Sequence, residues 1–417
     1  MKDIIQMKIA GLLGGLAVIA GGPCGAECPP RYEIAAVIVG PDCGDPWGPA
    51  GVSPSGMNDQ GCVVGAFQCV LGPYMPFLWE DGELIELDLP EGVAQAGCTD
   101  INEAGVIAGK MGEYISPGRA FVIDGDEFIV IEPPPEGNYT DAKGLNEDGT
   151  VVGKWKNTSH GPVHAYIWRD GEFTDLHPWL EAPTSLGADV NDAGQVAGSR
   201  WKEGAEGYTA FIWHDGEVTD LGPIPGGFGS MAKVINNTGQ VAGDGEIPAD
   251  PSYDWHGFFY SDGVMIDIGT LPTFRESRVF DMNDDGTIVG VCEESSEEPR
   301  STAFVWRNGT MWNLNDLIPP GSGFYLSSGR AINSAGQIVV RTFGAEAVLL
   351  TPVPWKPGDI DCNDKVNVHD LLTLLGSWGP CPPPPDDCDA DLDGDGEVNA
   401  FDLLILLRNW GLRSDPT

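Results

Sequence analysis

Between positions 58 and 340 short apolar runs alternate with turns built from Asn, Asp and Gly, and no stretch sustains a helical period. The runs recur in a fixed order. An asparagine, a polar pair and a glycine open each unit, as in Asn58-Asp59-Gln60-Gly61 and Asn191-Asp192-Ala193-Gly194. An Asx side chain bonds its own backbone there and glycine supplies a positive φ, so a strand must reverse. The units begin at Asn58, Asn102, Asn146, Asn191, Asn236, Asn283 and Asn333, with successive offsets of 44, 44, 45, 45, 47 and 50. A period in this range marks a repeat architecture.

After the turn comes a β-branched run ending on glycine, such as Val63-Val64-Gly65 or Val196-Ala197-Gly198, and after a variable loop an aromatic run, such as Ala165-Tyr166-Ile167-Trp168 or Ala303-Phe304-Val305-Trp306. Asp81-Gly82, Asp170-Gly171, Asp215-Gly216, Asp262-Gly263 and Asn308-Gly309 follow at once and predict type I′ hairpins into a further strand. With a short strand before each Asn turn, every unit has four strands. Seven such units predict a mainly β chain organised as a seven-bladed β-propeller over residues 30–352, an open β-solenoid or a pair of sandwiches being the alternatives. The seventh unit lacks an outer strand before Pro352, and the unassigned segment Tyr32 to Ile38 can fill that place and close the ring.

His164-Ala165-Tyr166-Ile167-Trp168 and His256-Gly257-Phe258-Phe259, with their Asn-Asp-x-Gly turns and Asp-Leu-Gly endings, resemble the extracellular HAF-type repeats of bacteria. The resemblance implies fold and location and brings no catalytic residues. Met75, Arg119, Thr209 and Thr302 replace the histidine elsewhere, which argues against a ligand role. The interval His160 to His164 looks metal-like, but Pro162 breaks the helix that would align the pair, and a surface loop is expected there. The tryptophans Trp79, Trp168, Trp213 and Trp306 are expected in the core.

Charge narrows the partners. Against 63 acidic residues stand 22 basic ones, a net charge of −41, which repels nucleic acid and anionic lipid and attracts divalent cations. Residues 1–26 carry Lys2 and Lys8, an apolar run from Ile9 to Ala20 and small residues up to Ala26, the pattern of a secretory signal peptide. Cys24 raises a lipid anchor as an alternative, although Gly22-Pro23 departs from the usual lipobox. No other segment is apolar enough to be transmembrane. The chain is therefore expected outside the cell or at its surface, with its 10 cysteines mainly in disulfides of unassigned pairing.

Composition changes after the proline-rich linker at 353–357. Asp391, Asp393, Asp395, Glu397, Asn399 and Asp402 stand at positions 1, 3, 5, 7, 9 and 12 of a loop with glycine at position 6, the spacing of a calcium loop. Thirty-two residues earlier Asp359, Asp361, Asn363, Lys365, Asn367 and Asp370 repeat that spacing, with Asp364 in the glycine position. Lys365 and Glu397 contribute carbonyls and the others side chains, so two calcium ions are expected. Each loop runs into an apolar helix ending in Trp-Gly, Trp378-Gly379 and Trp410-Gly411, and prolines prevent a helix before either loop.

A duplicated loop and exit helix over 358–412 resembles a type I dockerin, a family that implies calcium-driven folding and docking to a cohesin-like protein. Loop positions 10 and 11 hold Val368-His369 and Ala400-Phe401 where that family usually has Ser/Thr pairs, so the familiar contacts are absent. No nucleophile elbow or phosphate loop stands out, and turn carboxylates recur as a turn requirement. The reading is a secreted, non-catalytic binding or scaffold protein, with a glycan or protein ligand on the propeller and a partner on the C-terminal module. The alternative is a component of polysaccharide degradation, binding or hydrolysing glycans.

Overall fold

The computed structural model describes residues 29–44, 48–70, 72–112, 118–157, 161–249, 253–294, 301–363, 365–382 and 388–411. The expected signal peptide lies outside them. The chain divides into two compact units, Tyr32–Pro352 and one that includes the residues after it.

The first unit is a seven-bladed β-propeller of seven four-stranded antiparallel sheets. Blades one to six occupy residues 51–86, 96–131, 139–175, 184–222, 231–269 and 276–313 in sequence order. Blade seven takes three strands from 326–352, and its outermost strand is Tyr32–Ile38, paired antiparallel with Ala347–Pro352. The first segment of the propeller thus closes its last sheet, leaving no ring edge open. Glycine at the fourth place of every Asn turn has positive φ, from 73° at Gly336 to 83° at Gly61, and the hairpins place Asp81, Asp170, Asp215, Asp262 and Asn308 at φ of 48–51°. These are the conformations for which the sequence selects Asn, Asp and Gly.

One departure from an all-strand ring lies between blades three and four. Residues His177–Leu180 form a single helical turn, α1, with a proline in its first turn, and Leu180 is fully buried. Pro178 fits a first turn because its missing N–H is unpaired there in any helix. One turn is too short to leave a periodic signal.

The core is layered between blades. Phe77, Phe121, Tyr166, Phe211, Phe258 and Phe304 on the third strands are fully buried. Each lies directly opposite the glycine that ends the second-strand run: Gly65, Gly109, Gly153, Gly198, Gly243 and Gly290. A Cβ built on Gly198 would stand 2.5 Å from the Phe211 ring, and one on Gly290 would stand 2.8 Å from Phe304. The ring needs the absent side chain. Blade seven shows the complementary solution, with Val340 opposite Val348.

Inner strands carry a bulge three residues before each Asn. Ser55, Thr99, Lys143, Ala188, Lys233, Phe280 and Arg330 are each skipped in the pairing with the second strand. A bulge leaves its extra residue unpaired and bends the strand. All but Arg330 line the axial cavity.

Two of the expected disulfide cysteines are paired in the first unit, Cys43 with Cys69, whereas Cys62, Cys98 and Cys292 are buried free thiols. Cys62 and Cys98 pack in the apolar layer between blades one and two, and Cys292 packs beside Phe304, so these positions use cysteine as a small hydrophobe.

The second unit is built on a pseudo-repeat of 32 residues. Helices α2, Val368–Gly376, and α3, Ala400–Arg408, pack through Leu374 and Leu406 with Val366, Ala390 and Val398. Gly379 pairs with Val398, and the Gly411 amide donates to the Val366 carbonyl at 3.1 Å. The glycine three residues beyond each exit helix is therefore held by the loop of the other half. Cys381 and Cys388 form a disulfide across the proline stretch.

Gly198→Ala is expected to destabilise the propeller by about 2–3 kcal/mol through overpacking. Phe211→Val should restore only part of this, because the Leu186 carbonyl also approaches that position. Denaturant unfolding of the single and double variants checks both expectations.

Candidate functional site

Side chains converge at two places, the propeller axis and the pair of loops in the second unit. On the axis the seven turn asparagines are buried and linked in a ring. Each Nδ2 donates to the backbone carbonyl of the next asparagine at 3.0–3.2 Å, from Asn58 to Asn102 and onward until Asn333 closes on Asn58. Each Oδ1 accepts the amide four residues ahead in its own turn. One side chain thus shapes the turn and joins two blades.

The next residue of each turn forms a second ring. Backbone amides of Asp59, Glu103, Glu147, Asp192 and Asn237 each bond the side chain of the following blade's equivalent residue at 2.7–3.0 Å, and Ser334 bonds Asp59. Asp59, Glu103, Glu147, Asp192 and Asp284 thereby crown one mouth of the channel with carboxylates. Burial, followed by crowding from Glu103, Asp192 and Asp59, pushes the Glu147 carboxyl upward.

Below the crown, two residues before each Asn, the order is Gly56, Asp100, Gly144, Asp189, Val234, Asp281 and Ala331. The three aspartates belong to blades two, four and six. Each accepts its own following amide on Oδ1 and the next blade's inner-strand amide on Oδ2: Ile101 and Leu145 for Asp100, Val190 and Ile235 for Asp189, Met282 and Ile332 for Asp281, all at 2.8–2.9 Å. They are clips between blades that still keep some surface open to the channel. Enclosure in the ring raises the Asp100 carboxyl to about 7 and that of Asp281 to about 6, and holds Asp189 well above the ordinary value.

The cationic bulge residues alternate with these clips: Lys143, Lys233 and Arg330 stand in blades three, five and seven. Lys143 Nζ is 3.4 Å from Asp141 and Lys233 Nζ is 3.5 Å from Asp244, while the Arg330 guanidinium lies 4.1 Å from the centre of the Phe280 ring. The axial cavity, lined by the three clips with Lys143 and Lys233 but not by Arg330, has a volume of about 260 Å³. Sequence reasoning missed the alternation, although the seven units aligned on their asparagines display it.

His164 and His256 pack within the blades beside carboxylates. His164 lies in the strand Val163–Arg169 rather than in a surface loop, with Nδ1 3.4 Å from Asp175 and its ring stacked on His177 at 4.1 Å. His256 repeats this contact with Asp267 at 2.9 Å. His160 is outside the described residues. Trp79, Trp168 and Trp306 are buried, and Trp213 is partly buried.

In the second unit the carboxylates of Asp359, Asp361 and Asp370 offer oxygens within 4.8 Å of one another, as do those of Asp391, Asp393 and Asp402. Backbone amides shape each cluster. Asp370 accepts from Ile360, Asp361 and Asn367, and Asp402 accepts from Leu392, Asp393 and Asn399. Desolvation and the nearby Asp402, Asp395 and Asp391 push the Asp393 carboxyl upward. Hard oxygen donors, close spacing and two buried carboxylates per loop fit calcium.

Asn367 and Asn399 are helix N-caps, accepting from His369 and Phe401, and their Nδ2 groups donate to the carbonyls of Lys365 and Glu397. Their side-chain oxygens therefore serve the caps. Asp395 Oδ2 accepts from Asn399, and the amide of Asn363 bonds Asp359 at 3.0 Å. Cys381, Cys388 and Asp391 also cluster, but that cysteine pair is a disulfide and is not a thiolate site.

Residues 357–409 match the family model of the Dockerin type I domain. The chain thus joins a seven-bladed propeller to a dockerin type I domain, a class of module that binds calcium and implies a cohesin partner. Among solved structures, an oligogalacturonate lyase from Vibrio parahaemolyticus is similar at 12% identity and a TM-score of 0.50, covering 76% of this chain and 91% of its own. The β-propeller domain of the Trilobed protease from Pyrococcus furiosus is similar at 14% identity and a TM-score of 0.44, over 65% of this chain and 85% of its own. At such identities the likeness is one of fold. No curated protein matches the chain.

Two outcomes follow from these geometries. Asp100 and Asp281 hold protons more tightly folded than unfolded, so the stability they contribute is full below the unfolded carboxylate pKa and is lost as pH rises through about 6 to 7. The propeller's thermal transition should rise from pH 8 to pH 5, and Asp281→Asn should flatten that slope. In the second unit, Asp402→Ala removes an anionic acceptor of three amides and should weaken calcium binding by that loop about 100-fold or more. Calorimetric titration of the full chain should then count one ion fewer, with a smaller calcium-induced gain in helical circular dichroism.

Proposed function

We propose that the chain is a secreted, non-catalytic binding protein, in which HAF-type repeats build a propeller that presents a ligand surface and the dockerin module attaches it, in the presence of calcium, to an exported cohesin-like partner. The observation that carries this reading is the axial mouth. Its carboxylates occupy equivalent positions in successive blades, and those of Asp100, Asp189 and Asp281 already accept two backbone amides each. Acid–base or nucleophilic catalysis needs a singular group whose partners leave it free to react. Disulfides in both units favour an oxidising location.

Attachment is supported by a duplicated apolar surface. Leu372, Leu375 and Trp378 are exposed, and so are Leu404, Leu407 and Trp410, each 32 residues later. Val368 and Phe401 extend the two patches where the family usually has Ser or Thr. Exposed apolar patches of this kind mark interaction surfaces. The docking contact proposed here is therefore mainly hydrophobic, with calcium holding the helices that display it.

The full chain, immobilised and offered the exported proteins of its host, is expected to capture a partner with calcium and release it in EDTA. The double variant Leu372→Asp and Leu404→Asp should lose most of that capture while still binding calcium. Capture that survives either treatment would sink the docking reading, and release of new chain ends from a glycan panel would sink the non-catalytic one.

A further inference from the structure

Three ammonium groups converge on one carboxylate where blades two and three meet. Lys110, Lys143 and Lys154 place Nζ at 4.0, 3.4 and 3.5 Å from Asp141 Oδ2, and the Tyr139 hydroxyl donates to the same oxygen at 3.1 Å. Asp141 is buried, while the three lysine side chains keep 31–42% of their surface. Three cations against one anion leave an excess of two positive charges around Asp141, and Lys143 brings one of them to the axial cavity. Burial, with Lys143 and Lys110 nearby, pulls the Lys154 ammonium downward despite Asp141.

One lysine would suffice to compensate Asp141, so the other two need another reason. Three ammoniums held within 4.0 Å of one carboxylate repel one another, and an anion that joins them relieves that repulsion. The fold also leaves room for one. Lys143 lines the axial cavity with Lys233.

Sugar-stacking surfaces stand on the same side. In each antiparallel blade the Asn turns and Asp-Gly hairpins share one face, so the start of an inner strand and the loop after a second strand lie on the other. Tyr325 and Phe343 stack there at 5.0 Å with 45% and 62% of their surface exposed, and Phe228 and Tyr253 are exposed at equivalent ends. Tyr139 starts its inner strand on this face too, with the Lys156 ammonium 4.5 Å from its ring centre. The carboxylate crown closes the far mouth to anions, so an acidic chain can enter an end from the loop face but cannot thread through.

We propose that the loop face of the propeller binds an acidic glycan end-on, with a carboxylate or sulfate of the sugar seated at Lys110, Lys143 and Lys154 and its rings on the exposed aromatics. This rests on the reading of the propeller as a ligand-presenting domain. A nucleic-acid duplex, with one charge per about 1.7 Å, would meet the −41 field along its length, whereas a glycan end brings few charges into a locally positive site.

The test is isothermal titration of the full chain, with calcium, against a galacturonate tetramer, a sulfated galactose tetramer and a neutral galactose tetramer. At least one acidic tetramer is expected to bind ten-fold or more tighter than the neutral one, more weakly at higher salt. The two acidic arms separate carboxylate from sulfate. Lys143→Gln should weaken that binding about ten-fold with the thermal transition retained. Asp141→Asn, which removes the competing internal anion, should tighten it, a direction that misfolding cannot produce. Equal binding of all three tetramers, no binding of either acidic one, or indifference to Lys143→Gln would overturn the proposal, as would complete displacement by polyglutamate with no glycan binding. Cleavage of a bound tetramer would leave this site standing and remove the non-catalytic reading instead, while calcium-dependent docking without glycan binding would do the reverse.

Discussion

Each blade is tied to the next by one asparagine amide, and the seven bonds make a closed circuit. A single buried hydrogen bond contributes only about 1 kcal/mol net, but leaving its partners unmet costs about 1–3 kcal/mol. Breaking one link would strand the carbonyl of the neighbouring turn, and a Gln cannot substitute because the same Oδ1 must also reach the amide four residues ahead. The circuit holds all seven turns in one plane of register. Length variation is therefore pushed to the other face, where the loops after second strands and the links between blades absorb the drift from 44 to 50 residues per unit.

The same constraint explains the alternation along the axis. In blades one to six a bulge three residues before the asparagine turns one side chain toward the channel, and in blades two, four and six the residue after it bonds the neighbouring blade. Where that following residue is Asp, it clips the next blade; a Cβ on Gly56 would come within 3.0 Å of the Asp100 Cα and one on Gly144 within 2.8 Å of the Asp189 Cα, so glycine precedes two of the three aspartates and Val234 the third. Blades two, four and six supply carboxylates, and blades three, five and seven supply Lys143, Lys233 and Arg330 from the bulge itself. Blade one, with Ser55 and Gly56, supplies neither, which is how a pattern of period two fits a ring of seven.

Much of this was legible in the chain. The Asn turn, the Asp-Gly hairpin and the strand order are local, set by φ preferences that residue type reports directly, and the vacant place in blade seven announced its filling by Tyr32–Ile38. The loop spacing that marks the calcium ligands is equally local. What stayed hidden depends on closure. That Asn58 donates to Asn102, that Lys110 reaches an aspartate in another blade, and that Cys43 rather than Cys62 pairs with Cys69 are contacts created by bending sheets into a ring. Asn367 and Asn399 show a subtler limit, because position 9 of a calcium loop and the N-cap of a helix select the same residue, and sequence spacing does not separate the two duties.

The two units meet like-charge crowding in different ways. In the dockerin module each loop gathers carboxylates around buried Asp370 or Asp402, each already accepting three backbone amides, and an added cation such as calcium relieves the repulsion that remains. In the propeller the crown carboxylates are relieved from within, each by a backbone amide of the blade before it, and they need no ion to hold their geometry. Around buried Asp141 the balance is the opposite, one carboxylate facing three ammoniums. The carboxylate crown thus stands at the turn face and this lysine cluster away from it, an order kept because the asparagine circuit fixes which side of every blade faces which way.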